Sequence, residues 1–100
     1  MATTRPKAIE IDDVMLSHII EQDPNEPGRH NARFVEYGHH VSAVIGTLQR
    51  NNWDIALTAD EWHMPEIAIQ AAIEYYARHR ELFDAYFLLQ HEEYEADQQR

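Results

Sequence analysis

The chain has 100 residues, of which 18 are Asp or Glu and 8 are Lys or Arg, giving a formal net charge of -10 at pH 7. A chain of this length forms one domain with a small core, and its charge disfavours binding to bare nucleic acid because it repels phosphate backbones. The chain has no cysteine, which excludes disulfides and thiolate zinc sites, and it has no apolar stretch suited to a signal peptide or a membrane span. We therefore expect a soluble cytoplasmic protein whose acidic surface favours docking onto a basic protein.

The chain begins with a segment that we predict to be a flexible arm. Residues 1–8 are polar, include a proline and offer no apolar side chain pattern to pack. A single domain is predicted over residues 9–90. Its first apolar pattern, between Met15 and Ile20, favours a β-strand.

A turn-rich segment and a second strand follow. Residues 23–28 contain two prolines and a glycine, which predict a loop. The β-branched and aromatic residues of segment 32–37 favour an extended chain, and Gly38 ends it where a positive φ costs little. These two strands predict a small β-hairpin over about residues 14–37, which must pack on something else because an isolated hairpin is marginal in water.

Two helices are predicted after the hairpin. The first, over residues 41–51, has apolar residues at the i, i+3, i+4 and i+7 positions, namely Val41, Val44, Ile45 and Leu48. Asn51 and Asn52 end it, since asparagine tolerates the left-handed conformation. The second, over residues 54–62, begins at Asp54, whose carboxylate can accept hydrogen bonds from the first free N–H groups.

A long third helix is predicted over residues 65–90, followed by an acidic helical tail at 91–100. After Pro65, whose fixed φ suits a helix start, the chain contains no glycine and no further proline. Apolar residues recur on two neighbouring stripes, the first made of Ile69, Ala72, Ile73, Tyr76, Phe83 and Phe87 and the second of Tyr75, His79, Leu82, Tyr86 and Leu89. Two apolar stripes leave only a narrow polar face for solvent, so we expect another chain to cover part of this helix.

These residues resemble the protein family catalogued as domain of unknown function 433. The likeness covers residues 15–86. It rests on Gly38-His39-His40-Val41, Val44-Ile45-Gly46-Thr47-Leu48, Trp53-Asp54-Ile55-Ala56, Met64-Pro65-Glu66 and Ala71-Ala72-Ile73-Glu74-Tyr75-Tyr76. The resemblance implies a mainly α fold: an N-terminal β-hairpin, a three-helix helix-turn-helix or winged-helix-like unit, and a long C-terminal helix. It also implies an antitoxin that pairs with a PIN-type ribonuclease toxin.

The chain departs from the family pattern at two places. Family members commonly carry Gly-Thr-Arg-Ile where this chain has Gly38-His39-His40-Val41, and a glycine where it has Asn52. The first change removes a permanent cation and leaves histidines that are mostly neutral at pH 7. Any DNA contact made there by the family is therefore in doubt.

A helix-turn-helix fold would make the helix at Pro65 the recognition helix. The candidate DNA contacts would be Arg33, Arg50, His63 and Gln70. Gln70 could read an adenine edge, whereas phosphates would repel Glu66 at the helix start. Ordinary i,i+4 ion pairs are predicted farther along, between Glu74 and Arg78 and between Arg80 and Asp84.

Aromatic residues supply the predicted protein interface. Trp62 and Tyr76 are expected to pack on Ile45 and Leu48, because large aromatic side chains dominate small cores. The candidate interface residues are Tyr76, Phe83, Tyr86, Phe87 and Leu89. We expect a homodimer formed through the long helix and through the strands, and the sequence leaves open whether the hairpin pairs within or between chains.

Metal and catalytic chemistry are not supported by the pattern. His30, His39 and His40 could lie close together, and His91 lies four residues before Glu95, but no third ligand is placed by the sequence. No nucleophile with its base and no Gly-rich phosphate loop is recognisable. We predict no enzyme activity, no cofactor and no metal site. The leading hypothesis is an antitoxin-like protein that covers a basic ribonuclease toxin, and autoregulatory DNA binding by the complex is a further expectation. The alternatives are a stand-alone helix-turn-helix DNA-binding regulator and a structural homodimer.

Overall fold

The computed structural model describes residues 11–26 and 28–98, and side chains as far as His91. The described part is mainly helical, with a two-stranded antiparallel hairpin near its N-terminal end. Its elements are α1 (Asp13–Ile19), β1 (Ile20–Glu21), a 3-10 helix (Arg29–Asn31), β2 (Arg33–Phe34), α2 (Val41–Arg50), α3 (Ile55–Trp62), α4 (Glu66–Arg78) and α5 (Arg80–Gln98). The arm predicted at residues 1–8 and the last two residues of the predicted tail lie outside the described residues.

The first predicted strand is wrong over most of its length, because Asp13–Ile19 form helix α1. The Asp12 carboxylate accepts the Met15 N–H at 2.9 Å, and the Asp12 carbonyl accepts the Leu16 N–H at 2.9 Å. Leu16 is buried, and Met15 and Ile19 pack against the core. Apolar residues four apart fit one helix face, and the aspartate cap decides in favour of the helix.

The predicted hairpin is confirmed, but it is much shorter than expected. Ile20 pairs with Phe34 across two antiparallel strands of two residues each. Both side chains are buried, so the hairpin is part of the core. The second strand stops early because the chain turns at once: the Gly38 N–H donates to the Phe34 carbonyl, and Gly38 has φ +71°. This positive φ confirms the role expected for the glycine.

Helices α2 and α3 confirm the local predictions. The four residues that predicted α2 are fully buried, namely Val41, Val44, Ile45 and Leu48. After α2, Asn52 and Trp53 both adopt positive φ, at +55° and +64°. The Asp54 carboxylate then accepts the Leu57 N–H at 3.0 Å and caps α3. Only residues 51–54 separate the two helices.

Helix α4 is the centre of the domain, since it packs against α1, α2 and α3. Its inner face carries small residues, with Ala68, Ala71 and Ala72 all buried, which lets neighbouring helices approach closely. Fully buried Ile69 adds apolar bulk to this face. The Ala-Ala pair of the sequence therefore has a packing role.

The prediction of one long helix over residues 65–90 is wrong at His79. α4 ends at Arg78, His79 belongs to neither helix with φ -126° and ψ 33°, and α5 begins at Arg80. No helix of the described residues is both long and apolar enough to cross a membrane.

Candidate partner-binding surface

Aromatic side chains hold the first half of α5 against the domain. Phe83 is fully buried and meets Tyr75 and Tyr76 edge-on, with ring centroids 5.9 and 5.7 Å apart. Phe87 extends the cluster, at 6.2 Å from Phe83. The Tyr76 hydroxyl donates to the Asp84 carboxylate at 2.7 Å, and burial together with this carboxylate raises the pKa of Tyr76. These contacts make the start of α5 part of the core.

This arrangement corrects part of the predicted interface. Tyr76 and Phe83 are buried among residues of their own chain, at 8% and 0% exposure, so they are not free to anchor a partner. Tyr86 and Phe87 are half-buried, and Leu89 is exposed. Of the five predicted interface residues, Tyr76 and Phe83 are therefore covered by the kinked chain itself.

Three leucines of α5 are exposed to solvent. Leu82, Leu88 and Leu89 are 45%, 58% and 59% exposed. Every side chain from Leu88 to His91 is exposed, so the helix leaves the body of the domain there. Leu88 was missing from the predicted interface. Its signal was the uninterrupted apolar run that ends at Leu89.

The 3-10 helix holds the other side of the junction between α4 and α5. The Tyr75 hydroxyl donates to the Arg29 carbonyl at 3.1 Å, and the His30 ring lies 5.0 Å from Tyr86. The His79 ring lies 4.6 Å from Tyr75. Burial lowers the pKa of His79, and the nearby Arg29 and Arg78 charges lower it further. Neutral His79 therefore fits this junction better than its protonated form.

Most arginines of the described residues are engaged within the chain. Three form ion pairs: Arg33 with Glu21, Arg78 with Glu74 and Asp13, and Arg80 with Asp84. The two predicted i,i+4 pairs are thus confirmed. Arg50 donates to the Thr47 hydroxyl at 3.2 Å. Because carboxylates of the same chain pair with Arg33, Arg78 and Arg80, these three arginines add little positive potential for DNA.

The start of α4 carries the other candidate DNA contacts. His63 is exposed and adopts φ +55° at the end of α3, and Glu66 is exposed at the first position of α4. Gln70 is half-buried, and its Oε1 atom is buried with no hydrogen-bond partner. The buried amide oxygen cannot reach a base edge in this conformation. The structure therefore does not gather Arg33, Arg50, His63 and Gln70 into one basic surface.

The loop before the 3-10 helix places two carboxylates, Asp23 and Glu26, near His40 at the start of α2. The sequence pattern did not indicate this grouping. His40 Nε2 lies 3.1 Å from Asp23 Oδ2 and 3.9 Å from Glu26 Oε2. The Asn25 backbone N–H and the His40 hydrogen bond lower the pKa of Asp23. These three ligand atoms lie within 4.8 Å of one another and could approach a metal ion. The hydrogen bond between His40 and Asp23 explains this arrangement, because it links the loop to the start of α2.

The other two histidines of the predicted group lie elsewhere. His30 faces Tyr86, and His39 packs edge-on against Trp62 with ring centroids 4.9 Å apart. The histidine group expected from the sequence is therefore dispersed.

The chain matches no protein-family model, no curated protein and no solved structure with which it was compared. Its function must therefore be inferred from its own surface.

Proposed function

We propose that this protein is an antitoxin-like binding protein that covers a basic partner of the ribonuclease toxin class. The observation that carries the proposal is the pair of leucines at the middle of α5, Leu88 and Leu89, which are more than half exposed. A surface of this kind on a small protein is typical of a docking site. The family resemblance supplies the class of partner.

Charge supports a basic partner. The chain carries 18 acidic and 8 basic residues, and α5 holds Glu81, Asp84, Glu92, Glu93, Glu95 and Asp97 against Arg80. Such a surface attracts a basic protein over a Debye length of about 8 Å at physiological salt. Binding should therefore form faster at low salt than at high salt. The same charge opposes the phosphates of RNA, so the proposed role is to block a ribonuclease and not to compete for its substrate.

Two substitutions test where the partner binds. Leu88→Asp combined with Leu89→Asp places two charges in the exposed apolar surface, and we expect loss of binding with the fold retained. Leu57→Asp is the matched control, because Leu57 is 44% exposed but lies on α3. The tagged protein and both variants are purified gently from their own cells, with and without nuclease, and bound proteins are identified by mass spectrometry.

The supporting result has two parts. A basic ribonuclease-like protein remains bound after nuclease treatment, is lost with the α5 variant and is kept by the Leu57 control. Adding the purified protein to that partner then suppresses cleavage of RNA. Recovery of a homodimer alone would favour the structural alternative, and recovery of nucleic acid that nuclease removes would favour the DNA-binding regulator.

A DNA-binding role remains a second candidate because α2, α3 and α4 pack on one another in the order that a helix-turn-helix unit requires. We infer that α4 would be the recognition helix. The exposed Glu66 at its start and the ion pair of Arg33 weigh against tight binding. The candidate predicts salt-sensitive DNA binding that weakens when Arg33, Arg50 or Gln70 is replaced by alanine, and unchanged affinity in all three variants would exclude it.

A further inference from the structure

The break between α4 and α5 occurs without a helix-breaking residue. The chain has neither glycine nor proline after Pro65. At the break, the His79 N–H donates to both the Tyr75 and the Tyr76 carbonyls, each at 3.1 Å, and a new helical ladder begins where the Phe83 N–H donates to the His79 carbonyl at 3.2 Å. A straight helix would instead bond the Tyr76 carbonyl to the Arg80 N–H. The break therefore gives up helical hydrogen bonds that the local sequence favours.

Contacts between α5 and the rest of the domain maintain this break. Phe83 is fully buried against Tyr75 and Tyr76, and the Tyr76 hydroxyl bonds to Asp84 at 2.7 Å. In a straight helix, residues 76 and 84 would lie about 12 Å apart along the axis. The same contacts can therefore form in only two ways: within one kinked chain, or between the α5 of one chain and the body of another.

We propose that the protein forms a domain-swapped dimer in which α4 and α5 straighten at His79 and each α5 packs on the body of a second copy. In the dimer, α5 packs on the surface of the second body that includes Tyr75 and His30. This surface already fits Phe83 and Tyr86 of α5, so its partner in the dimer is another copy of this chain. Exchanging an identical element keeps these contacts, so they do not decide between monomer and dimer. The equilibrium between monomer and dimer depends on the helical hydrogen bonds gained at His79 and on the entropy lost on association.

Charge favours this exchange over a dimer that pairs two α5 helices side by side. The segment of α5 carries six carboxylates and one arginine, which are Glu81, Asp84, Glu92, Glu93, Glu95, Asp97 and Arg80. Two such helices in contact would repel each other. In the swapped dimer each α5 lies on the other chain's body, beside Tyr75, Tyr76 and His30, as it does within the monomer.

The first test changes the helix propensity of the hinge. His79→Ala and His79→Gly both remove the ring contact with Tyr75, so they form a matched pair. Glycine is about 1 kcal/mol less favourable than alanine within a helix, which is about fivefold per hinge and about 30-fold for a dimer with two straightened hinges. We expect the alanine variant to dimerise about 30-fold more tightly, measured by light scattering after refolding over a range of concentrations. Circular dichroism verifies that both variants fold.

The second test identifies which chain supplies α5. The protein has no cysteine, so His30→Cys and Tyr86→Cys introduce unique thiols at two rings that lie 5.0 Å apart. A chain with only the first change is refolded together with a chain that has only the second, and a short bismaleimide is added. We expect a covalent heterodimer. A chain with both changes, held dilute as a monomer, should instead be cross-linked internally.

The outcomes separate this proposal from the alternatives. A dimer whose separately labelled chains do not cross-link would be a side-by-side dimer and would overturn the proposal. Alanine and glycine variants that stay monomeric at high concentration would overturn it as well. Neither result bears on partner binding through Leu88 and Leu89, which lie beyond the residues that hold α5 to the body.

Discussion

Replacing Phe83 by alanine tests whether this residue belongs to the core. Its side chain is fully buried and lies edge-on to Tyr75 and Tyr76. Removing a buried phenylalanine costs about 3–5 kcal/mol through lost transfer energy and the cavity that remains. Each edge-on pair contributes about 0.5–1.5 kcal/mol beyond burial, which places the expected loss toward the upper end of that range. A domain of this size has a total stability of about 5–15 kcal/mol, so the loss is a large fraction.

The assay is urea unfolding followed by circular dichroism, with thermal melting as a second measurement. At about 4–8 °C per kcal/mol, Phe83→Ala should lower Tm by at least about 12 °C. Leu88→Ala is the control, because Leu88 is 58% exposed and its replacement should change stability by about 0.5 kcal/mol or less. A loss below about 1 kcal/mol for Phe83→Ala at low protein concentration would refute the core assignment and restore the interface role expected from the sequence.

Three further predictions concern caps, charge and backbone conformation. Asp54→Ala should cost about 1 kcal/mol in urea unfolding because it removes the cap of α3, whereas exposed Asp60→Ala should cost much less. The folded-state pKa of His79 lies below the ordinary value of 6.5, so the unfolded chain binds this proton more readily, and stability should fall as pH drops from 6.5 through the folded pKa. This contribution should disappear from the stability profile of His79→Gln but persist in that of His63→Gln. Asn52→Ala should cost about 1 kcal/mol because Asn52 has φ +55°, whereas Asn52→Gly should melt close to the unmodified protein.

Helix α2 could be predicted from the sequence because its signal is local. The residues at i, i+3, i+4 and i+7 are all fully buried, and the turn after it uses Asn52 as expected. Asp54 likewise caps α3 as predicted, since a side chain three residues from its target is positioned by the chain itself. Where the interacting residues are neighbours in sequence, the sequence pattern was sufficient to predict the helix and its cap.

Helix α1 shows the limit of a short apolar pattern. The short apolar pattern of Met15, Leu16 and Ile19 was assigned to a strand, although the spacing of Met15 and Ile19 also fits a helix. The Asp12 cap and packing against α4 decide for the helix. Phe83 was assigned to the interface for a related reason, since its helical spacing is the same whether it is covered by its own chain or by another.

The sequence alone determined that this protein is small, acidic, mainly helical and rich in apolar side chains near its C-terminal end. Those properties depend on composition and on spacing along one helix. Only the tertiary structure decided where the long helix breaks, because nothing at His79 prevents helix formation and the break is held by Phe83, Tyr76 and Asp84 across several turns. That break buries Phe83 within the chain and leaves Leu88 and Leu89 exposed to solvent, since a chain can cover only the surface onto which it folds back.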